Sequence, residues 1–199
     1  MSDQKTLEYY FDFSSPYGYL GTLFVEQLAQ DIGRELVWKP YLMGAAMKIT
    51  GLPTLNKIPL KSDYMWVDLK RYSDQFNVTM RTPNGFPFMS VAACRAHYAL
   101  LAEDPALAGR WCVAAAKAAW EGGQDLSDMN ILAGVASSLG IDPAELGVMI
   151  QEQMVKDRLR METEGAIERG LWGSPHFIVD GKDMFWGCDK RYEIKAIYG

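Results

Sequence analysis

Apolar and polar positions change their period several times along the chain, and each change predicts an element. Leu7-Glu8-Tyr9-Tyr10-Phe11-Asp12-Phe13 is aromatic and partly alternating, which predicts a buried strand. Ser14-Ser15-Pro16 follows. A Ser ahead of a Pro that opens an apolar-periodic run predicts a helix with Ser15 as N-cap and Pro16 as its first residue. Leu20, Leu23, Phe24 and Leu28 then share a face, and Gly33 closes the helix. The run from Glu35 to Leu42 predicts a second strand, so the opening is strand, helix, strand: a parallel pair with a right-handed crossover.

From about Gly44 to Gly85 the pattern is broken by Gly51, Pro53, Pro59, Pro83 and Asn84, with one helical stretch from Tyr64 to Phe76. Ala-rich helices are predicted from Phe88 to Leu101 and from Pro105 to Trp120. Another begins at a Ser127 cap and ends at Gly140, and Asp142-Pro143 opens a long helix to about Arg169. Strand character returns at Pro175 to Val179, turns at Asp180-Gly181 and continues through Met184 to Trp186, a β-hairpin. Asp189 is placed to cap a short last helix ending at Tyr198. The order β-α-β, helices, α-β-β-α predicts an α/β fold with an inserted helical block and one shared core.

Composition narrows the function classes. With 199 residues, 49% hydrophobic and 23% charged, the chain can bury a core without disulfides or metals. A net charge of -5 with no Lys/Arg run argues against nucleic acid as a partner. No apolar run has the roughly 18 residues of a membrane span, and the polar start Met1 to Thr6 has no signal-peptide core. Cys94, Cys112 and Cys188 are an odd number without a C-x-x-C pair. That pattern speaks against a disulfide framework or zinc site and fits a reducing, cytoplasmic setting.

Candidate chemistry gathers at three places. Ser14-Ser15-Pro16-Tyr17-Gly18-Tyr19 stands where a strand meets a helix, and a helix N-terminus leaves amides unpaired and favours anions. Ser15 either only caps the helix or also serves a ligand. Gly18 and Gly21 either admit a ligand closely or let helix pack tightly on sheet. Gly173-Ser174-Pro175 enters the third strand, where trans is the default for the Ser174-Pro175 bond. In Phe185-Trp186-Gly187-Cys188-Asp189-Lys190-Arg191, Asp189 is either a cap or a partner for a ligand's amino group. His97 is expected to be packed rather than catalytic, His176 to be the better candidate of the two because its strand entrance is expected to face the strand–helix junction, and Asp12 to be a buried polar anchor rather than an acid–base group. Cys94 and Cys112 are expected to be buried hydrophobes.

Taken in order, these blocks resemble the thioredoxin-fold family that carries a helical insertion. Where thiol oxidoreductases of that family have C-P-x-C, this chain has Ser15-Pro16-Tyr17-Gly18, so disulfide exchange, which needs an attacking thiolate, is excluded. The Ser form is similar to the 2-hydroxychromene-2-carboxylate isomerases and the kappa-class glutathione transferases. The supporting blocks are Phe11 to Leu20, Trp38 to Gly44, Lys61 with Tyr64-Met65 and Asp68-Leu69, Phe86-Pro87-Phe88, Gly173 to Phe177 with Val179-Asp180-Gly181, and Phe185 to Arg191.

The resemblance implies a thioredoxin-like glutathione-binding domain from residues 1–43 and 150–199, with an inserted all-helical domain at 44–149. It implies glutathione as cofactor, with Ser15 donating to its thiol and Ser174, before a cis-Pro175, pairing with its peptide. Cys188 and Asp189 would hold the γ-glutamyl end and Lys61 would meet a carboxylate. It further implies a homodimer and a small aromatic 2-oxo acid substrate. The reaction would interconvert 2-hydroxychromene-2-carboxylate and trans-o-hydroxybenzylidenepyruvate in the catabolism of naphthalene-type aromatics. Lys48, Lys57 and Arg81 are candidate partners for the substrate carboxylate. Two positions depart from the family pattern: Leu52 where relatives place Asn, and Cys188 itself. The competing readings are a kappa-type transferase or peroxidase, which consumes glutathione, and a non-catalytic thioredoxin-like binding protein.

Overall fold

A computed structural model of the chain describes residues 5–199. Strands β1 (Thr6–Phe11), β2 (Glu35–Pro40), β3 (His176–Val179) and β4 (Asp183–Trp186) form one sheet in the order β2-β1-β3-β4. β1 runs parallel to β2, with Thr6 opposite Glu35 and Phe11 opposite Pro40. It runs antiparallel to β3, with Leu7 opposite Val179 and Tyr10 opposite His176, and β4 closes the hairpin. The parallel start and the Asp180-Gly181 hairpin are as the periodicity predicts. Asp180 and Gly181 both take positive φ, at 51° and 70°, as such a turn requires.

Side chains alternate across the sheet, so its faces bury different sets. Leu7, Tyr9, Phe11, Phe177 and Val179 face one large core. That core also takes Leu20 of α1 (Pro16–Thr22), Val25 and Leu28 of α2 (Val25–Asp31), and Ile194 of α10 (Arg191–Tyr198). It continues without a break into the helices between β2 and β3, where Trp111 and Trp120 of α6 (Pro105–Trp120) are fully buried. The other face buries Tyr10 and Ile178 against Tyr41, Leu171 and Ala166 of α9 (Gln153–Glu168).

Four predicted helices differ in detail, and one helix was not predicted. The first is two helices, because Leu23 and Phe24 donate to carbonyls three residues back, and the resulting turn brings Phe24, Val25 and Leu28 together into the core. A helix at Met43–Thr50 (α3) lies where glycines and prolines predicted irregular chain. Its Gly51 end is a left-handed cap with φ 68°, so a glycine that suggests loop in the sequence closes a helix instead. Asp128, not Ser127, caps α7 (Met129–Ser138), its carboxylate accepting from Asn130 N at 2.8 Å. The long helix after Asp142-Pro143 is α8 (Pro143–Met149) and α9, separated where Glu152 turns extended; α8 thereby packs on α5 (Val91–Leu101) and α7. Asp189 makes no capping bond: Gly187 precedes a 3-10 turn, Cys188–Lys190, that leads into α10.

Candidate active site

The site grows from the end of β1. Tyr9 and Phe11 are locked in the core, so the chain leaves the sheet at Asp12 with little freedom. The Asp12 carbonyl accepts from Ser15 N at 2.9 Å, and the Phe13 carbonyl is held by the Trp120 indole N–H at 2.9 Å. Ser15 is extended (φ -92°, ψ 120°) and its Oγ accepts from Gly18 N at 3.0 Å, the cap that Ser-Pro predicted. Pro16 has no N–H, and Tyr17, in the first turn of α1, has no intrahelical acceptor for its own. The helix field therefore opens beside Ser15.

Ser15 also donates to the Ser174 carbonyl at 3.2 Å, joining α1 to the loop ahead of β3. The Ser174-Pro175 bond is cis, as the family resemblance implies and against the default for an isolated Ser-Pro. Ser174 Oγ accepts from Asp12 N at 3.0 Å. The Tyr41 hydroxyl donates to the Gly173 carbonyl, and Gly187 N donates to the Pro175 carbonyl at 3.0 Å, so the loop is fixed on both sides. Ser15 and Ser174 are thus joined directly, with the cis-Pro175 next in the loop. Gly18 and Gly21 answer the question their positions raise. A Cβ on Gly18 would lie 2.7 Å from Ser174 Oγ, and one on Gly21 would lie 2.2 Å from the Tyr9 hydroxyl. Both glycines serve tight packing.

The other predicted residues surround α1 at greater range. The turn carrying Cys188 and Asp189 packs on α1, as does α4 (Lys61–Gln75). On α4, Asp68 accepts from the Tyr17 hydroxyl at 2.9 Å. Burial and this bond push the Tyr17 phenol well above its usual range, so it stays protonated. Cys188 is buried, and its thiol is pushed up to about 12 by that burial, then by Asp189 and Asp68. It is a packed thiol and no nucleophile at neutral pH. Asp189 is exposed. Lys61, at the start of α4, is exposed and touches none of the others. It shares the helix face of Asp68 at i, i+7, roughly 10 Å along the axis.

His176 is not at the thiol side. Its register opposite Tyr10 turns it to the α9 face of the sheet, away from α1, where Nδ1 pairs with the Gly173 carbonyl at 2.9 Å. Sequence reasoning missed the Tyr17–Asp68 bond and Ser90, whose hydroxyl donates to Asp12 at 2.7 Å from the start of α5. Nothing in the periodicity around Ser90 signals that contact. Among the described residues no cluster of three or more His, Cys, Asp or Glu has the arrangement of a metal site, and no helix is long and apolar enough to cross a membrane.

A strand–helix junction facing a cis-Pro loop, on a four-stranded sheet with helices inserted after β2, defines a thioredoxin-type protein. The DsbA-like thioredoxin domain matches residues 6–198, and the chain belongs to that family. More particularly, it belongs with the 2-hydroxychromene-2-carboxylate isomerases, a family of enzymes. The isomerase of that name from Sphingobium xenophagum is 31% identical over 188 residues, spanning 94% of both chains. The solved structure of a 2-hydroxychromene-2-carboxylate isomerase superposes with a TM-score of 0.87 at 25% identity, over 96% of this chain and 93% of that one. Glutathione S-transferase kappa 1 of Rattus norvegicus is 25% identical over 206 residues, spanning 98% of this chain and 91% of its own.

Proposed function

We propose that this chain is a glutathione-dependent cis–trans isomerase acting on 2-hydroxychromene-2-carboxylate or a closely similar ring-opened aromatic 2-oxo acid. The observation that carries the reading is the Ser15 hydroxyl, capping α1 and resting 3.2 Å from the cis-Pro loop, at a position with no thiol in Ser15-Pro16-Tyr17-Gly18. The residues fit a thiol tripeptide. The Ser174 backbone N–H has no hydrogen-bond partner among the described residues, which suits it to antiparallel pairing with a peptide. Asp189 offers a carboxylate to an ammonium group, with the Cys188 backbone beside it, and Lys61, exposed at the start of α4, offers an ammonium to a carboxylate. Pro175 shapes the loop.

Glutathione, when bound, supplies a thiolate that adds reversibly to the conjugated carbon–carbon double bond and leaves again after rotation. The chain's part is to keep that sulfur anionic. A free thiol near pKa 8.5 is only about 3% ionised at pH 7, and a fall of about two units, roughly 2.7 kcal/mol, makes the thiolate the majority form. Ser15 exchanges a long bond to a neutral carbonyl for one to an anion, and the start of α1 adds its field. The two together are of the needed size. The enzyme is further proposed to act as a homodimer.

The test follows the ultraviolet absorbance of 2-hydroxychromene-2-carboxylate with purified protein. Equilibration that needs glutathione, with the glutathione recovered intact, is the expected result. Loss of glutathione on 1-chloro-2,4-dinitrobenzene without isomerisation marks a kappa-type transferase instead. Failure of millimolar glutathione to raise the melting temperature removes both readings and leaves a binding module.

A further inference from the structure

Asp12 lies one turn of chain before Ser15 and is 3% exposed. Its Oδ1 accepts from Ser14 N at 2.9 Å, Ser14 Oγ at 2.8 Å and Ser90 Oγ at 2.7 Å, and its Oδ2 accepts from Met43 N at 2.9 Å. Both oxygens only accept, as an ionised carboxylate does. Every donor is neutral, and no cation pairs with it among the described residues. A buried anion solvated by dipoles alone keeps a field at short range.

We propose that Asp12 sets an upper limit on how acidic a sulfur held at Ser15 becomes, opposing the helix and the hydroxyl. The inference rests on the glutathione reading above. Its chemical sense lies in a nucleophile that must also depart. The nucleophilicity of a thiolate falls as its pKa falls, and the best attacking thiol titrates near ambient pH. A sulfur stabilised without opposition would be anionic but sluggish; a fixed negative charge under the same loop holds it near neutrality.

The groups facing this locus leave Asp12 in a position to act. On α5, Cys94 is pushed up by burial and then by Asp12, and Tyr41, ahead of α3, is raised by the same two causes in the same order. Tyr9 on β1 and Tyr17 on α1 are likewise raised, so all four are neutral at pH 7. On the remaining elements the carboxylates are Asp68 of α4 and Asp189 of the 3-10 turn. Asp68 is bonded to Tyr17, and Asp189 is exposed toward the ammonium it is expected to meet. Glu121, after α6, accepts from the Tyr19 hydroxyl. The cations Lys61 and Arg191 stand on the α4 and α10 starts, and Arg191 lies against the rings of Phe24, Phe76 and Tyr192. Of these carboxylates among the described residues, Asp12 alone is both buried and hydrogen-bonded to the loop that carries Ser15.

The experiment titrates the ultraviolet thiolate absorbance of glutathione bound to the wild type and to Asp12→Asn. Removing the charge is expected to lower the titration point by about one unit. A residue that merely held Ser15 in place would raise it instead, toward free glutathione, as Ser15→Ala does. The sign therefore separates the roles, and a rise or no change overturns the inference while leaving the glutathione reading intact. If the wild type itself shows no thiolate absorbance, that reading falls and takes this one with it. Should Asp12→Asn not fold, Asp12→Ser decides: it removes the charge and leaves a hydroxyl for the loop, so the titration point is again expected to fall, and a rise or no change overturns the proposal.

Discussion

His97 with Cys112, and Ser15 with Ser174, are both polar pairs buried in this fold, yet only one has the means to do chemistry. The Cys112 sulfur lies 3.1 Å from His97 Nδ1, a spacing that suggests a thiol and its base. Both residues are 0% exposed, between α5 and α6. Burial drives the imidazole down to about 4 and the thiol up, so the pair stays uncharged, and the same ring nitrogen lies 3.2 Å from the Ala108 carbonyl. At α1, a hydroxyl with no base beside it sits where amides are unpaired and a cis-Pro loop meets the helix. Residue types that pair in known nucleophiles are inert when sealed in a core, and a plain capping serine gains a role from where the helix begins.

That contrast is open to attack from several sides, beginning with acid. His97 and His176 both take their proton near pH 4 in the fold and near 6.5 in the unfolded chain. Between those values the unfolded state binds more protons. Stability present above pH 6.5 is therefore lost as pH falls toward 4, by up to about 3 kcal/mol per ring. Thermal midpoints measured across that window check it. An NMR titration that finds His97 protonated near pH 7 would reveal an imidazolium–thiolate pair and erase the contrast.

Ser15→Ala is next in size. Loss of one hydrogen bond to an anion, about 1.5–3 kcal/mol, is expected to raise the pKa of bound glutathione by one to two units and slow isomerisation at pH 7 about 10- to 100-fold. Thiolate absorbance separates this from simple unfolding. Cys112→Ala is expected to leave turnover unchanged while costing about 1 kcal/mol of stability, read from a denaturant midpoint. A large loss of activity there would assign the buried pair a function.

Much of this architecture is legible in local chemistry. The Ser15-Pro16 cap, the Asp180-Gly181 turn and the alternation in β1 each rest on residues close in sequence, and each stands as predicted. The three-residue-back turns that split the first and the long helices are set by core contacts far along the chain, and no local period marks them. The same holds at the site. Ser15, Ser174 and Pro175 could be picked out by their motifs, whereas Ser90 and Asp68 reach it only through the packing of α5 and α4. His176 lies away from the site its neighbours predict, because the cis-Pro loop adjoins the site while the next residue, one step along a strand, faces the other way.

The most direct test is a crystal structure of the protein with glutathione. The sulfur should lie within hydrogen-bonding distance of Ser15 Oγ at the start of α1, with the cysteinyl backbone alongside Ser174. Glutathione seated anywhere else, or a sulfur turned away from Ser15, contradicts the account.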